Sequence, residues 1–159
     1  MNRFRRFYTD NRDKLFGYLL RKTGNTHMAA DLVQEAFTRY LERYRNDEQS
    51  LALLYTIGRN LFYDQMRQRS RVIAAEDIVQ ETVAGAEENY IVKEQSNKIL
   101  AAMEQLGDEE RDTLALVVSS GLGYQEIADI RGCTVANIKV KVHRARQKIK
   151  KLLQENSNE

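Results

Sequence analysis

The last third of the sequence contains a run of cationic side chains with no acidic residue among them. From Thr134 to Lys151 the chain has seven Lys or Arg residues and neither Asp nor Glu. These cations are Lys139, Lys141, Arg144, Arg146, Lys148, Lys150 and Lys151. Because a solvated helix face normally mixes both signs, such a run points to a polyanion, and a helix fits the major groove of duplex DNA. The alternative is a solvated cationic face with no partner.

An apolar stripe in the same stretch indicates which side of this helix faces the protein. Its members recur at steps of four and three residues, the spacing of one helix face. They are Ile138, Val142, Ala145, Ile149 and Leu152. On the outward side, Asn137, His143 and Arg144 are predicted to reach base edges, and Val140 suits a thymine methyl group. The residues expected at phosphates are Lys139, Lys141, Arg146 and Lys148. The full set of candidate duplex contacts is Thr134, Ala136, Asn137, Lys139, Val140, Lys141, His143, Arg144, Arg146 and Lys148.

A helix-turn-helix would position this basic helix. A short helix is predicted over residues 124–131 and the basic helix over about 135–153. Ala128 is small enough for the two helices to cross closely. In the turn, Gly132 can take a positive φ, and Thr134 can cap the second helix.

Two more helices are predicted just ahead of this motif. One covers residues 90–106, and the next follows Gly107 with Asp108 as its N-cap. The predicted inward residues of the latter are Leu114, Val117 and Val118.

The whole sequence favours an all-α protein with two small helical domains joined by a linker. Its 159 residues include no proline and only eight glycines, so helix breakers are few. Residues 1–72 have 14 basic and 8 acidic side chains and contain three amphipathic helical patterns. Residues 73–97 have one basic and six acidic side chains with weaker periodicity, which indicates the linker. Residues 98–159 form the domain with the helix-turn-helix; one continuous helical domain is the alternative.

Composition excludes several classes of protein. A net charge of +2 is too small for a uniformly basic, histone-like protein. A single cysteine, Cys133, excludes an internal disulfide, and with two histidines a Cys/His zinc site is not expected. Cys133 is expected to be a small packing residue. No apolar run approaches the ~18 residues of a membrane span, and no apolar stretch follows the charged residues 1–6 as it would in a signal peptide, so no membrane insertion is expected.

Two helices near the N-terminus carry further candidate contacts. The second helix, capped by Asn25 or Thr26, presents four polar residues opposite its apolar stripe: Asp31, Gln34, Glu35 and Thr38. The third, predicted over about 50–71 after a loop at 46–50, carries Tyr55, Arg59, Asn60, Tyr63 and Arg67. Cations beside aromatic rings suit the unstacked bases of a single strand. The alternatives are that the acids complement the helix N-terminus and that the tyrosines border the core.

Segments in both domains resemble the conserved parts of bacterial sigma factors. Residues 121–130 (GLGYQEIADI) and 137–146 (NIKVKVHRAR) are similar to the C-terminal DNA-reading domain of that family. Residues 31–37 (DLVQEAF) and 54–60 (LYTIGRN) are similar to its other conserved domain. The order and separation of these matches, without a full middle domain, resemble the extracytoplasmic-function (ECF) group.

The resemblance implies a sigma factor rather than an enzyme, with no cofactor. Such a protein binds core RNA polymerase, directs it to promoter DNA, helps open the duplex, and is commonly held inactive by an anti-sigma factor. By resemblance, residues 98–159 (region-4-like) read the upstream promoter element as duplex. Residues 1–72 (region-2-like) capture the non-template strand of the downstream element and contact polymerase through the face of Asp31, Gln34, Glu35 and Thr38. The implied location is the cytoplasm, at the nucleoid when the protein is active.

The sequence departs from the family pattern at four positions. Leu53 stands where Trp is frequent, Gly107 where Pro is usual, Gly123 where Ser usually caps, and Lys141 where Arg is common. Gly caps a helix nearly as well as Ser, whereas Lys lacks the bidentate fork of Arg. The alternative function is a stand-alone helix-turn-helix regulator that binds duplex DNA without polymerase. The basic run disfavours a helical adaptor without nucleic acid, and the lack of a Gly-rich phosphate loop or metal-ligand cluster disfavours an enzyme.

Overall fold

Seven α-helices and no strand make up the part of the chain that the structure, a computed structural model, describes: residues 2–44, 49–73 and 90–157. The helices are α1 (Asn2–Thr23), α2 (Thr26–Tyr44), α3 (Leu51–Ile73), α4 (Tyr90–Glu104), α5 (Asp108–Ser119), α6 (Tyr124–Arg131) and α7 (Val135–Ser157). The predicted all-α fold is thereby confirmed. Helices α1–α3 belong to one compact unit and α4–α7 to a second. None of the described helices is long and apolar enough to cross a membrane.

The first unit is a three-helix bundle whose core is shared by all three helices. Leu15 and Leu19 of α1, Ala36 of α2 and Leu54 of α3 are completely buried. Gly58 of α3 permits a close approach to α1, because a Cβ at this position would lie 3.3 Å from Cδ1 of Leu15. This packing determines which faces of α2 and α3 point outward.

Side-chain caps set the starts of α2 and α3. The backbone N–H of Met28 donates to Oδ1 of Asn25 at 3.0 Å, so Asn25, one of the two predicted caps, is the N-cap of α2. The N–H of Leu53 donates to Oγ of Ser50 at 3.2 Å and caps α3. Positions 46–48 of the predicted loop lie outside the described residues.

Helix α5 packs against both α6 and α7 in the second unit. Its buried residues are Asp112, Thr113, Leu114, Ala115 and Leu116. Leu114 faces inward as predicted, but Val117 is half-buried and Val118 is 52% exposed, so the predicted inward face is wrong at these positions. The five buried residues are consecutive and therefore encircle the helix, whereas Val118 is exposed although Leu114, one turn earlier on the same side, is buried. The N-cap is Gly107, with Asp108 in the first turn, which corrects the predicted cap by one residue.

Helices α6 and α7 form the predicted helix-turn-helix. Helix α6 begins and ends where predicted, because Gly123 precedes it and Gly132 takes the left-handed conformation at its C-cap, with φ 68°. Ala128 is completely buried, as a close crossing of the helices requires. Oγ1 of Thr134 accepts a hydrogen bond from the backbone N–H of Asn137 at 3.1 Å and caps α7, as predicted. Helix α7 continues to Ser157, past its predicted end.

Most of the predicted linker lies outside the described residues, which resume at the start of α4. The predicted helix at 90–106 is observed over Tyr90–Glu104, with the same first residue. The domain boundaries inferred from the sequence stay a prediction.

Candidate nucleic-acid interface

Helix α7 has a buried stripe and an outward polar face. Ile138 and Ala145 are completely buried and Val142 is 3% exposed, while Ile149 and Leu152 are half-buried. The predicted stripe therefore faces the protein. The candidate duplex contacts that lie exposed are Thr134, Ala136, Asn137, Lys139, Val140, His143, Arg144, Arg146 and Lys148.

Two cations of this helix are bound to acids of α5. Nζ of Lys141 lies 2.9 Å from Oε2 of Glu109, and Nζ of Lys148 lies 2.9 Å from Oε2 of Glu110. The Lys141 side chain is only 20% exposed. Its hydrogen bond and its charge, with a smaller contribution from Arg131, hold the pKa of Glu109 below the ordinary value. The basic run itself lacks acids, but folding brings acids to one edge of it.

A buried ion pair joins α5 to the end of α6. Nε of Arg131 donates to Oδ2 of Asp112 at 3.2 Å, and the two side chains are 7% and 0% exposed. Arg131 immediately precedes Gly132, the residue at which the chain turns towards α7. The pair therefore anchors the turn that directs the basic helix.

Tyr55, predicted to contact a single strand, lies in the core. It is completely buried, its ring meets that of Tyr18 edge-on at 5.5 Å between centroids, and burial raises the pKa of its hydroxyl. Helix α3 packs against both α1 and α2, so it buries Tyr55 as well as the adjacent Leu54. The prediction of Tyr55 as a surface contact is therefore wrong.

The other residues predicted on α3 stay on its accessible side. They are Arg59 and Tyr63, both half-buried, and Asn60 and Arg67, both exposed. The guanidinium of Arg59 lies 4.9 Å from the centroid of the Tyr63 ring. Lys22 of α1, itself 3% exposed, donates from Nζ to the Tyr63 hydroxyl at 2.8 Å, and Arg67 is paired with Asp64. The role of Lys22 is absent from the sequence prediction because a lysine is seldom buried.

Helix α2 presents a polar face beside an apolar cleft. The predicted residues of this face, all exposed, are Asp31, Gln34, Glu35 and Thr38. Oε1 of Glu35 lies 2.9 Å from Nε of Arg39, one turn further along. A cleft of about 340 Å³ adjoins the face and is lined by Phe4, Arg5, Tyr8, Gln34, Phe37, Thr38 and Leu41. Charged and apolar groups thus share one surface of the first unit.

No group of three or more His, Cys, Asp or Glu side chains in the described residues could hold a metal ion. Cys133 is half-buried in the turn between α6 and α7.

Comparison with known proteins gives a family match for each of the two units. Residues 7–72 match the family described as Sigma-70 region 2, and residues 96–149 match Sigma-70, region 4. The ECF RNA polymerase sigma factor EcfG of Rhodopseudomonas palustris (strain TIE-1) is 33% identical over 142 residues, which cover 87% of this chain and 78% of that protein. This chain belongs to the sigma-70 family, in its ECF group.

Further relatives extend the similarity of this sigma factor over nearly its whole length. The ECF RNA polymerase sigma factor SigM of Bacillus subtilis (strain 168) is 29% identical over 149 residues, or 91% of each protein. Among solved structures, the sigma factor RpoE from Bartonella quintana, in a co-crystal with the anti-sigma factor NepR, matches with a TM-score of 0.80. Its identity is 27% and the match covers 97% of this chain and 98% of that one.

The two family matches coincide with the two units of the sigma factor. The region 2 match runs from residue 7 in α1 to residue 72 in α3, and the region 4 match from residue 96 in α4 to residue 149 in α7. As an ECF sigma factor, the chain acts with core RNA polymerase on promoter DNA.

Proposed function

We propose that this sigma factor divides promoter recognition between its two units. Helix α7 reads the upstream promoter element as duplex DNA, α3 captures the non-template strand of the downstream element, and α2 binds core polymerase. The observation that carries the proposal is the outward face of α7. There, after the tight turn at Gly132, the helix exposes cations together with polar side chains that can hydrogen-bond to base edges.

The exposed residues of α7 have different roles according to their position around the helix. Val140 and His143 lie opposite the buried stripe, so insertion into a major groove brings them and the adjacent Arg144 closest to base edges. Val140, 45% exposed, offers a thymine methyl an apolar contact. Lys139 and Arg146 lie at the edge of the helix, towards the phosphates that line the groove.

On α3, four residues form the proposed single-strand surface. They are Arg59, Asn60, Tyr63 and Arg67, which steps of three and four residues place along one side of the helix. An aromatic ring for stacking and cations for the backbone are the groups that bind single strands. The bond from Lys22 holds the Tyr63 hydroxyl, which gives the ring a defined orientation.

Polymerase binding is assigned to the polar face of α2, made of Asp31, Gln34, Glu35 and Thr38. The face combines two carboxylates with an apolar cleft at its side, so it offers a partner both charge complementarity and apolar burial.

An anti-sigma factor is a further proposed partner. The support is the similarity over 97% of this chain to RpoE of Bartonella quintana, which was crystallised with the anti-sigma factor NepR. The proposed location is the cytoplasm, where core polymerase is, and the nucleoid when the protein is active. No catalytic activity is assigned to the chain.

Removing base-contacting side chains of α7 should change sequence preference. His143→Ala or Arg144→Ala should each weaken binding to the preferred duplex by ~1–3 kcal/mol per lost base contact and have little effect on a scrambled duplex. Lys139→Ala should weaken both alike and flatten the slope of log K against log salt by about 0.9. The preferred duplex is selected from a random library with wild-type holoenzyme, and binding is measured by fluorescence anisotropy. Equal losses on both duplexes for all three variants would contradict the division into base and phosphate contacts.

Removing the Tyr63 ring should impair promoter opening more than initial promoter binding. Tyr63→Ala should lower the open-complex population ~5–150-fold, which corresponds to the ~1–3 kcal/mol of one stacked base. Tyr63→Phe keeps the ring but removes the hydroxyl that Lys22 holds, so it should lose less opening than Tyr63→Ala. Permanganate reactivity of unpaired thymines measures opening by the holoenzyme, with circular dichroism as the check on folding. Wild-type opening by a folded Tyr63→Ala variant would remove this residue from the single-strand surface.

A further inference from the structure

Two lysines of the proposed duplex-reading helix are held by α5 instead of projecting freely. Lys141 and Lys148 are about two helical turns apart, so they lie on the same edge of α7. That edge borders the buried stripe and faces α5. There Glu109 and Glu110 each bring a carboxylate oxygen to 2.9 Å from one ammonium.

Stability alone is a weak account of these ion pairs. Solvent-exposed pairs contribute only ~0–1 kcal/mol to folding. Each pair is exposed on one side only: the Glu109 and Lys148 side chains are 68% and 56% exposed, and their partners Lys141 and Glu110 are 20% and 12% exposed. Each carboxylate does, however, neutralise its lysine and repel an approaching phosphate, which is a direct effect on DNA binding.

We propose that Glu109 and Glu110 are intramolecular competitors of DNA phosphates, and that they lower the affinity of this sigma factor for duplex DNA of any sequence. The inference rests on the proposed role of α7 in duplex binding. Because the salt-dependent part of affinity grows with the number of phosphates neutralised, holding two lysines back weakens binding and reduces its salt dependence. The base contacts assigned to His143 and Arg144 are not held back, so sequence reading is retained.

The test measures binding of the full chain to a random-sequence duplex as a function of salt concentration. Glu109→Gln preserves the size of the side chain and removes its charge, so the slope of log K against log salt should steepen by about 0.9. Adding Glu110→Gln should steepen it by about 1.8. When salt is lowered from ~200 mM to ~50 mM, the rise in affinity should exceed that of the wild type by several-fold in the single variant and by roughly tenfold in the double variant.

Two further variants separate this effect from a general loss of negative charge. If Glu109 acts through Lys141, Glu109→Gln should leave the slope unchanged in a chain that already carries Lys141→Gln. Glu155→Gln also removes one negative charge, but from an exposed position of α7 that lies about 21 Å from Lys141 and about 10.5 Å from Lys148 along the helix axis, both beyond the ~8 Å Debye length. It should leave the slope of the wild type unchanged.

Equal slopes for Glu109→Gln and Glu155→Gln, or an effect that survives Lys141→Gln, would overturn the inference. Failure of the proposed function has a different signature, because Lys139→Ala would then leave the wild-type slope unaltered. If Lys139→Ala flattens the slope while Glu109→Gln does not steepen it, only the inference is wrong.

Discussion

Reversing the charges of Asp31 and Glu35 should weaken the association of this sigma factor with core RNA polymerase about a thousandfold. Both side chains are exposed on the outward face of α2, whose other face is buried in the bundle. Asp31→Lys together with Glu35→Lys replaces two anions by two cations, and juxtaposed like charges across an interface cost several kcal/mol. A loss of ~4 kcal/mol weakens binding about a thousandfold. Titration of labelled core polymerase and transcription at limiting sigma factor both measure this loss.

The same double reversal should leave the protein folded. Surface substitutions usually change the free energy of unfolding by only ~0.5 kcal/mol. The reversal also removes the ion pair between Glu35 and Arg39, and an exposed pair one turn apart contributes ~0.3–0.5 kcal/mol. Helix content by circular dichroism and duplex binding by the second unit should therefore match the wild type.

Asp10→Lys together with Asp13→Lys is the matched control for this experiment. These side chains are 64% and 90% exposed on α1. They lie on the side of that helix opposite Tyr8, which lines the cleft beside the α2 face. The control changes net charge by the same amount and should bind polymerase like the wild type. Wild-type transcription by the α2 variant, or an equal loss in both variants, would refute the assignment of the α2 face.

Local signals were sufficient to predict α6 and its turn, but not the end of α7. Gly123 and Gly132 flank α6, and a glycine can take backbone conformations that interrupt a helix. After Leu153, in contrast, the next residues, Gln154 and Glu155, are good helix formers. The helix therefore continues to Ser157, although the apolar stripe that predicted it has already ended.

Tertiary packing decides the positions at which periodicity is misleading. An apolar pattern identifies the centre of the buried face of a helix. The width of that buried face depends on how many other helices pack against it. Tyr55 is buried because α3 meets two helices at once. In α5 the polar residues Asp112 and Thr113 are buried against an apolar pattern, and Val118 is exposed although Leu114, one turn earlier on the same side, is buried.

In the candidate interface, too, some features follow from local sequence and others from tertiary packing. The outward residues of α7 follow from the local stripe, so the sequence identifies them. The sequence does not identify the ion-pair partners of Lys141 and Lys148, because Glu109 and Glu110 reach these lysines only through the packing of α5 on α7. The contact of Lys22 with Tyr63 is a second example, because it joins two helices that are far apart in the sequence.

Replacing Asp112 by Ala should lower the free energy of unfolding of the second unit by ~3–5 kcal/mol. Asp112 and Arg131 are 0% and 7% exposed, so the pair is shielded from water on both sides. Removing the carboxylate leaves a guanidinium buried without its counter-charge, which is the costly way to break such a pair. The loss is a large part of the ~5–15 kcal/mol that holds a typical domain folded.

Two comparisons test whether the cost comes from the stranded charge. Asp112→Leu together with Arg131→Met replaces both partners by apolar groups and should recover most of the loss, since such replacements are often neutral. Glu109→Ala breaks a pair whose carboxylate is 68% exposed and should cost at most ~1 kcal/mol.

The location of the loss can be measured in the full chain. Urea unfolding followed by circular dichroism gives its size, and hydrogen exchange shows which amides lose protection. In Asp112→Ala the loss should fall on α5, α6 and α7 and spare α1–α3, because the pair lies within the second unit. Duplex binding should fall with it, since Arg131 anchors the turn that directs α7, and should return in the apolar double variant. Equal losses in the single and double variants would show that the stranded charge is not the cause, and a loss below ~1 kcal/mol would show that the pair does not hold the turn.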